Sequence, residues 1–308
     1  MKASIVIATY NRNDLLIQTL QGLVNMDTDG LDWEVIIADN AGNEDTAQCV
    51  ESFSRSLPLH YLVETQPGKN SALNTALKQV RGEVVVFTDD DVIPDPGWLK
   101  ALISAADRWP EADLFGGRIV PRYPEGLTAP TIDDKVFFRI AFVVADWDIP
   151  EGEHPAGKIW GPNMMVRGKV FDQGLRFNPK IGPTGSNYLM GSETEFLLRA
   201  SEAGHSAVFV PSASVQHQIR PEQLTQEWIC GRAFRVGRGL AYHTSNNTEL
   251  KVKKWMLREL ATLYTRYLLS FVTGNKTDRL QHAIRYHKMR GQIYQCYKGR
   301  VKDTVPPN

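Results

Sequence analysis

Residues 84–95 read VVVFTDDDVIPD, and this run indicates the architecture more clearly than any other. Its apolar part is typical of a strand buried on both faces of a parallel sheet, and it stops at Asp89, Asp90 and Asp91. Alternation along an extended chain predicts that Asp89 and Asp91 point one way and Asp90 the other. Carboxylates this close repel unless a cation intervenes, and oxygen ligands suit Mg²⁺ or Mn²⁺. The alternative is a solvated acidic turn.

Strand-like and helix-like segments alternate through the first hundred residues. The strand-like runs are 3–8, 33–38, 59–63 and 83–88, with helical patterns between them at 14–24, 44–53 and 71–80. This alternation predicts an α/β fold with a mostly parallel, Rossmann-like sheet flanked by helices. Ligands of such sheets bind beyond the carboxyl ends of the strands, where this chain has polar residues. They are Thr9, Tyr10, Asn11 and Arg12, then Asp39 and Asn40, then the three aspartates.

The second half of the chain is less regular. Further strands are predicted at 114–120, 163–167, 207–210 and 214–217, and helices at 191–203, 222–243, 251–272 and 276–297. Three glycines weaken the helix prediction for 222–243, and residues 301–308 are expected to fray. We expect a main α/β domain over 1–245, with halves of about 1–110 and 111–245, followed by a helical extension over 246–300.

Composition indicates an ordinary globular protein with an uneven charge distribution. The 308 residues are 42% hydrophobic and 23% charged, with 35 Lys and Arg against 35 Asp and Glu. Residues 251–308 nevertheless hold thirteen basic and three acidic residues, which predicts contact with an anionic surface.

Three distant cysteines argue against zinc or disulfides, and no apolar run approaches the ~20 residues that span a bilayer. Without the pattern of a signal peptide, we expect a cytoplasmic protein.

Asp39, Arg12 and Lys69 are candidates for binding a nucleotide. Asp39 follows a predicted strand, where its carboxylate either accepts hydrogen bonds from a nucleobase or caps a turn. Arg12 and Lys69 are suited to a diphosphate but are equally compatible with surface charges. Lys69 follows the Pro-Gly of a turn that precedes a helix, although the pattern of a P-loop is absent.

Glu193, Glu195 and His217 are the candidates of the second half. The two glutamates open a predicted helix, and a spacing of two places them on different faces, so at most one points into a given site. A carboxylate there otherwise stabilises the helix dipole. His217 ends an extended segment, where an imidazole either ligates a metal or packs in the structure.

Four segments match a known family in their order along the chain. They are IVIATYNR at 5–12, VIIADNAGNEDT at 35–46, PGKNSALNTALKQVRGEVVVFTDDDVIPDPGWL at 67–99, and GSETEFLLRASEAG at 191–204. These segments resemble those of the glycosyltransferase family 2 enzymes, which have the GT-A fold. The resemblance is continuous over about 3–100 and patchy to about 240, and the third segment, which ends in a DxD motif, is the most specific.

The resemblance implies that most of the candidates bind the donor, and Lys69 is added because it follows the turn before a helix. The donor-binding set is Thr9, Tyr10, Arg12, Asp39, Lys69, Asp89, Asp90 and Asn163. A divalent cation, Mn²⁺ or Mg²⁺, would be held by Asp91, Asp89 and His217, with Asp91 the foremost ligand. Glu193 stands where the family has the Asp of a Glu-Asp pair, so Glu193 is the expected base and Glu195 the alternative.

The resemblance implies an inverting glycosyltransferase that moves a sugar from a nucleoside-diphosphate sugar, a UDP-sugar first of all, to an acceptor hydroxyl. Polysaccharide or glycolipid biosynthesis would be its setting. One alternative is a non-catalytic sugar-nucleotide-binding protein, because the acid at the base position is altered. Another is a nucleotidyltransferase, which would show a Gly-rich N-terminal loop that is missing here. We expect no nucleic-acid partner.

The C-terminal helices leave two interpretations open. An apolar stripe with helical spacing accompanies several basic residues, and it comprises Val252, Met256, Leu260, Leu263, Tyr267 and Phe271. Such a helix either packs on the catalytic body or makes peripheral contact with an anionic membrane. A lipid-linked sugar acceptor would make the second arrangement useful at the inner face of a membrane.

Overall fold

The structure, a computed structural model, describes residues 2–184, 188–244, 250–274 and 276–299. Within these residues nine strands form one sheet: β1 (Lys2–Thr9), β2 (Asp32–Asp39), β3 (Leu59–Val63), β4 (Val84–Asp89), β5 (Val92–Pro94), β6 (Ala112–Arg122), β7 (Gly152–Glu153), β8 (Met164–Arg167) and β9 (Ser206–Gln218). Their order is β3-β2-β1-β4-β8-β6-β9-β5, with β7 paired to β9. The strands β1 to β4 are parallel, whereas β5, β7 and β8 run antiparallel to their neighbours.

Helices flank the sheet and continue beyond it. Their bounds are α1 (Asn13–Val24), α2 (Glu44–Glu51), α3 (Lys69–Ala76), α4 (Trp98–Arg108), α5 (Lys135–Phe142), α6 (Gly168–Asp172), α7 (Ser192–Glu202), α8 (Gln226–His243), α9 (Lys254–Thr273) and α10 (Lys276–Lys298). The predicted α/β class, with a GT-A type sheet and C-terminal helices, is confirmed. Residues 206–218 form one strand rather than the two predicted, and the predicted helix from 222 begins as the short 3₁₀ turn Pro221–Leu224.

The strands β1, β2 and β4 are buried because helices cover both faces of the sheet. Leu16 of α1 and Leu102 of α4 pack on one face. Leu73 of α3 and Phe196 of α7 pack on the other. Burial of each such side chain contributes roughly 1.5–3 kcal/mol. The near-continuous apolar runs of these strands follow from this double burial.

The chain divides into two compact units. Unit 1 comprises Met1–Arg122, Val143–Ser186 and Gly191–Gln218, and unit 2 comprises Tyr123–Phe142, Asn187–Met190 and Ile219–Asn308. All of β6 lies in unit 1, and α8 lies with α9 and α10 in unit 2. The domain boundaries near 110 and 245 stay a prediction. The predicted start of the extension at 246 and the predicted frayed tail at 301–308 fall outside the described residues.

In unit 2 the helix α10 packs against α8 and α9. A Cβ at Gly237 would lie 1.9 Å from the Lys288 carbonyl oxygen, and one at Gly291 would lie 1.9 Å from that of Phe234. The glycine at 237, which weakened the helix prediction, is therefore needed for close approach of α8 and α10. No helix among the described residues is long and apolar enough to cross a membrane.

Candidate active site

Three parallel strands of unit 1 end side by side in polar residues. Thr9 ends β1, Asp39 ends β2 and Asp89 ends β4. The register pairs Thr9 with Asp39, and Ala8 with Asp89. Because these strands are parallel, their carboxyl ends meet at one edge of the sheet, which is where ligands of open α/β sheets bind.

Asp39 is fully buried and is held by two hydrogen bonds. Its Oδ2 accepts from the Tyr61 hydroxyl at 2.8 Å, and its Oδ1 accepts from the Ala41 amide at 2.8 Å. Burial, followed by the bond to Asp39, raises the pKa of Tyr61, so its hydroxyl stays protonated and donates. Sequence reasoning missed Tyr61, whose only signal is its place on the strand beside β2.

Asn40 fastens the next loop to the end of β2. Its Nδ2 donates to the carbonyl oxygens of Glu64 and Gln66, each at 2.8 Å, and its Oδ1 accepts from the Gly68 amide at 2.6 Å. All the hydrogen-bonding groups of this amide side chain except one lone pair are engaged. Asn40 therefore fixes the loop that leads to Lys69.

The three aspartates do not alternate as predicted. Asp90 accepts from the Thr9 hydroxyl at 2.8 Å and from Arg12 Nη1 at 3.1 Å, while Asp91 Oδ2 lies 3.4 Å from the same Nη1. Asp90 and Asp91 thus share one guanidinium, whereas Asp89 faces elsewhere. The reason is that β4 ends at Asp89, so strand alternation does not extend through the turn at 90 and 91. Burial and the charge of Asp91 raise the pKa of Asp90 to about 6.

Lys69 joins Asp89 to Glu193. Its Nζ lies 2.6 Å from Asp89 Oδ1 and 2.7 Å from Glu193 Oε1, and the three side chains are only 19–25% exposed. Burial alone would raise the pKa of Glu193, but the Lys69 ammonium and the Ser192 hydroxyl lower it to about 2. Glu193 is therefore ionised and is held by a buried cation.

The start of α7 presents Glu193 and turns Glu195 away. Gly191 precedes the helix with φ of 100°, and the Ser192 hydroxyl donates to Glu193 Oε2 at 2.6 Å. A Cβ at Gly161 would lie 2.7 Å from Glu193 Oε1, so this glycine makes room for the carboxylate. Glu195 instead accepts from Arg199 at 2.7 and 2.9 Å. Of the two predicted candidates, only Glu193 is brought to the aspartates.

Asn163 and Tyr10 were both predicted to bind the donor, but Asn163 is buried within the fold and Tyr10 is exposed. Asn163 is fully buried; its Nδ2 donates to the carbonyl oxygens of Arg118 and Ala213, and its Oδ1 accepts from Trp98 Nε1. These bonds engage both of its amide hydrogens within the fold, which leaves no donor for a sugar. Tyr10 is 60% exposed at the open end of β1.

His217 and Asp91, two of the predicted metal ligands, lie close together. His217 lies on β9, opposite Val92 of β5, and its Nε2 is 3.6 Å from Asp91 Oδ1. Both residues are about 5% exposed. Asp89, the third predicted ligand, is paired with Lys69 instead. Within the described ranges no group of three or more His, Cys, Asp or Glu is arranged to hold a metal ion.

Comparison with known proteins defines the class of protein to which this fold and site belong. The sequence model of Glycosyl transferase family 2 matches residues 4–157, which contain the ends of β1, β2 and β4. The chain belongs to this family, and the protein is a glycosyltransferase.

Two similar proteins are named as glycosyltransferases. Glycosyltransferase AglE of Haloferax volcanii is 25% identical over 262 residues, which cover 84% of this chain and 75% of that protein. The poly(ribitol-phosphate) beta-N-acetylglucosaminyltransferase TarS of Staphylococcus aureus is 30% identical over 140 residues, which cover 43% of this chain and 24% of TarS.

Two solved structures share the fold at low sequence identity. The crystal structure of S. aureus TarS in complex with UDP matches with a TM-score of 0.56 and 18% identity, covering 97% of this chain and 91% of that one. The mannosyltransferase PcManGT from Pyrobaculum calidifontis, in complex with GDP-Man and Mn²⁺, matches with a TM-score of 0.61 and 17% identity, covering 96% and 87%. This likeness agrees with the GT-A architecture.

Proposed function

We propose that the protein transfers a sugar, with inversion, from a nucleoside-diphosphate sugar to an acceptor hydroxyl, and that the donor is a UDP-sugar. One observation carries the proposal. Asp39, the aspartates Asp89–Asp91 and the further carboxylate Glu193 lie at one sheet edge, as the strand register and the distances above describe. Polysaccharide or glycolipid biosynthesis is the proposed setting.

The donor would lie across the ends of β1, β2 and β4. Asp39, held by Tyr61 and the Ala41 amide, keeps lone pairs that would accept from a nucleobase once its buried carboxylate is uncovered. Arg12, whose side chain is 44% exposed, would contact the diphosphate together with Lys69. Asp90 accepts hydrogen bonds from both Arg12 and Thr9 and so holds the Arg12 guanidinium in place. TarS has been solved with UDP and PcManGT with GDP-Man, which supports a nucleotide-sugar donor for this fold.

The residues at the aspartate turn fit a divalent cation in part. Mg²⁺ and Mn²⁺ accept a carboxylate and an imidazole and fill the remaining positions with water or phosphate oxygens. Asp91 and His217 supply that pair, so we assign them, and not Asp89, as the residues that would hold the ion. The ion would supply positive charge for the departing diphosphate.

Glu193 is the proposed base. The acceptor oxygen would attack the anomeric carbon as the bond from that carbon to the diphosphate oxygen breaks, and the acceptor proton would pass to the Glu193 carboxylate. A single displacement from the face opposite the leaving group inverts the anomeric configuration. Gly161 makes room for this carboxylate, because a Cβ there would lie 2.7 Å from Glu193 Oε1.

A thermal-shift screen with UDP-, GDP- and dTDP-sugars, each with and without Mn²⁺, tests the proposal. We expect a UDP-sugar to raise the melting temperature, and the rise to be larger with metal, because a ligand that binds only the folded state stabilises it. Stabilisation by a GDP- or dTDP-sugar instead would show that the nucleobase of the donor is not the proposed one. No shift with any donor at high concentration would contradict the proposed site.

A sugar-nucleotide-binding protein without transfer activity is the second candidate. The observation that favours it is the ion pair between Glu193 and Lys69. This ion pair lowers the pKa of Glu193, which makes the expected catalytic base a weak proton acceptor. Donor binding without transfer or hydrolysis across a broad panel of acceptors would support this candidate. Membership of the glycosyltransferase family argues against the nucleotidyltransferase alternative.

We further propose that α9 contacts an anionic membrane, where a lipid-linked sugar would serve as acceptor. The predicted stripe is largely used in unit 2, since Met256 and Leu263 are buried and Tyr267 stacks on Tyr286. A second apolar stripe remains exposed at i, i+7, i+11 and i+15, formed by Leu257, Tyr264, Leu268 and Val272.

Basic side chains accompany this exposed stripe. Lys253, Lys254, Arg258 and Arg266 are all exposed, and residues 250–274 contain the single acidic residue Glu259. Each basic group near an anionic surface adds about 1 kcal/mol to its binding. Apolar and cationic groups side by side fit a lipid headgroup layer, and sedimentation with vesicles that contain phosphatidylserine tests the contact.

A further inference from the structure

Lys69 occupies an unusual position for a lysine. It is the first residue of α3, where a positive charge opposes the helix dipole. Its backbone is held on the N-terminal side, where Gly68 has φ of 126° and the Lys69 amide donates to the Pro183 carbonyl oxygen at 3.2 Å. A Cβ at Gly68 would also lie 2.8 Å from Thr184 Cγ2. The chain therefore holds this lysine at a helix end that does not gain from its charge.

The Lys69 ammonium is shared between the donor side and the acceptor side of the site. It contacts Asp89 at the end of β4 and Glu193 at the start of α7, at nearly equal distances of 2.6 and 2.7 Å. The other charged group on the first turn of α7, Glu195, is neutralised by Arg199. One cation thus balances two carboxylates that otherwise would repel each other.

This arrangement suits a protein whose donor site is empty. A general base works best when its pKa lies near the working pH, whereas Lys69 holds the pKa of Glu193 at about 2, against the desolvation that alone would raise it. A diphosphate brings negative charge to the edge where Asp89, Asp90 and Asp91 already lie. It would compete with Glu193 for the ammonium of Lys69.

We propose that Lys69 is a positioning residue that couples donor binding to release of the base. While the donor site is empty it holds Glu193 in an ion pair, and when the diphosphate arrives it turns to the phosphate oxygens and frees the Glu193 carboxylate. The inference rests on the proposed function. Its consequence is an ordered reaction, in which the donor binds before an acceptor hydroxyl can meet a competent base.

The test is to follow the carboxyl carbon of Glu193 by NMR in protein labelled with ¹³C-glutamate, with the resonance identified by its loss in Glu193→Gln. The probes are UDP and GDP, each with Mg²⁺, and calorimetry on the same samples measures their binding. In the free protein we expect no titration of Glu193 between pH 4 and 8. With bound nucleotide we expect its pKa to rise into that window.

Two variants separate the coupling from a structural role. Lys69→Met should let Glu193 titrate in the window without nucleotide, and should weaken nucleotide binding by about 10- to 100-fold through loss of a charge-assisted contact. Lys78→Met, at an exposed lysine just beyond α3, should behave as the wild type. The wild-type comparison needs no variant, so a Lys69→Met protein that fails to fold leaves the test intact.

The outcomes distinguish this inference from the function on which it rests. If calorimetry shows that UDP or GDP binds while the Glu193 resonance stays insensitive to pH from 4 to 8, the coupling is wrong and the proposed donor site stands. If neither nucleotide binds, the proposed function fails and the coupling fails with it.

Discussion

Glu193 and Glu195 differ in their partners although only one residue separates them. Glu193 is held by Lys69 and Ser192, whereas Glu195 forms a two-point ion pair with Arg199 one turn along the same helix. The helical rotation of about 200° between them explains the difference, since two residues apart means nearly opposite faces. Only the first of the two carboxylates is therefore brought to the aspartates, through Lys69.

Replacement of Glu193 by Gln should lower turnover by about 10²- to 10⁴-fold and leave donor affinity intact or slightly higher. The amide cannot accept the acceptor proton, and Lys69 loses a competitor for the diphosphate. Steady-state kinetics and calorimetry with the donor found in the thermal-shift screen measure both quantities.

Glu195→Gln is the matched control, and its turnover should stay near that of the wild type. If Glu195→Gln lost as much turnover as Glu193→Gln, the assignment of Glu193 as the catalytic base would be wrong. Equal loss of turnover and donor affinity in a folded Glu193→Gln protein would count against the base as well.

The residue types of the site were predictable, and their pairings were not. Asp39, Lys69, Asp89 and Glu193 each follow a recognisable strand end or helix start. The contact of Lys69 with Glu193, however, joins residues 124 positions apart, and no local pattern encodes it. Alternation failed at Asp90 for a local reason, since β4 ends one residue earlier. Tyr61 was missed, and Asn40 was placed at the sheet edge without its role, because both roles depend on a neighbouring strand or loop.

At the scale of elements, the seam between β6 and β9 depends on a glycine. The Asn163 side chain donates across this seam to the carbonyl oxygens of Arg118 and Ala213. A Cβ at Gly117 would lie 2.2 Å from both the Ala213 oxygen and Asn163 Nδ2. The register of the two strands shifts at this point, so the glycine lets a side-chain amide replace a regular ladder contact.

Gly117→Ala should therefore lower the free energy of unfolding by about 1–3 kcal/mol, because the backbone oxygen of Ala213 cannot move aside. Urea denaturation followed by circular dichroism measures the change. Gly152→Ala is the matched control in β7, where a Cβ meets nothing within 4 Å, and it should be close to neutral. Similar midpoints for the two variants would show that the seam adapts.

The element pattern also marks where sequence reasoning stops. The first four strands were predicted closely because each is a compact apolar run between helices. The place of β8 between β4 and β6 was not, since antiparallel pairing of strands from distant parts of the chain leaves no local signal. The Gly-containing helix α8 was underestimated because its glycine at 237 serves packing.

At the scale of the whole molecule, an excess of positive charge and many of the exposed large apolar side chains lie in the C-terminal part of the chain. Residues 251–308 carry thirteen Lys and Arg against three Asp and Glu, while the rest of the chain is acidic. Leu268 and Val272 are 48% and 86% exposed in the same region. Exposed apolar side chains beside basic ones are typical of a surface that meets lipid.

Leu268→Glu should reduce sedimentation with vesicles of phosphatidylserine and phosphatidylcholine by about tenfold, through lost apolar contact and added repulsion. Thr262→Glu, on a different face of α9, is the matched control and should lose less, since it adds the same charge without removing an apolar contact. Binding that ignores both the anionic lipid and the salt concentration would reject the membrane contact. Loss of self-association in Leu268→Glu, seen by ultracentrifugation, would assign this face to a second copy of the chain instead.

The three hydrogen bonds of Asn40 bear on the re-engineering of this protein. They join the strand end that carries Asp39 to the loop that positions Lys69. The position of the loop before Lys69 therefore depends on the end of β2. A graft that exchanges only the end of β2 with Asp39 would leave Lys69 on a loop held by foreign residues. An exchange of donor specificity between related enzymes should therefore transfer the strand end and the loop together.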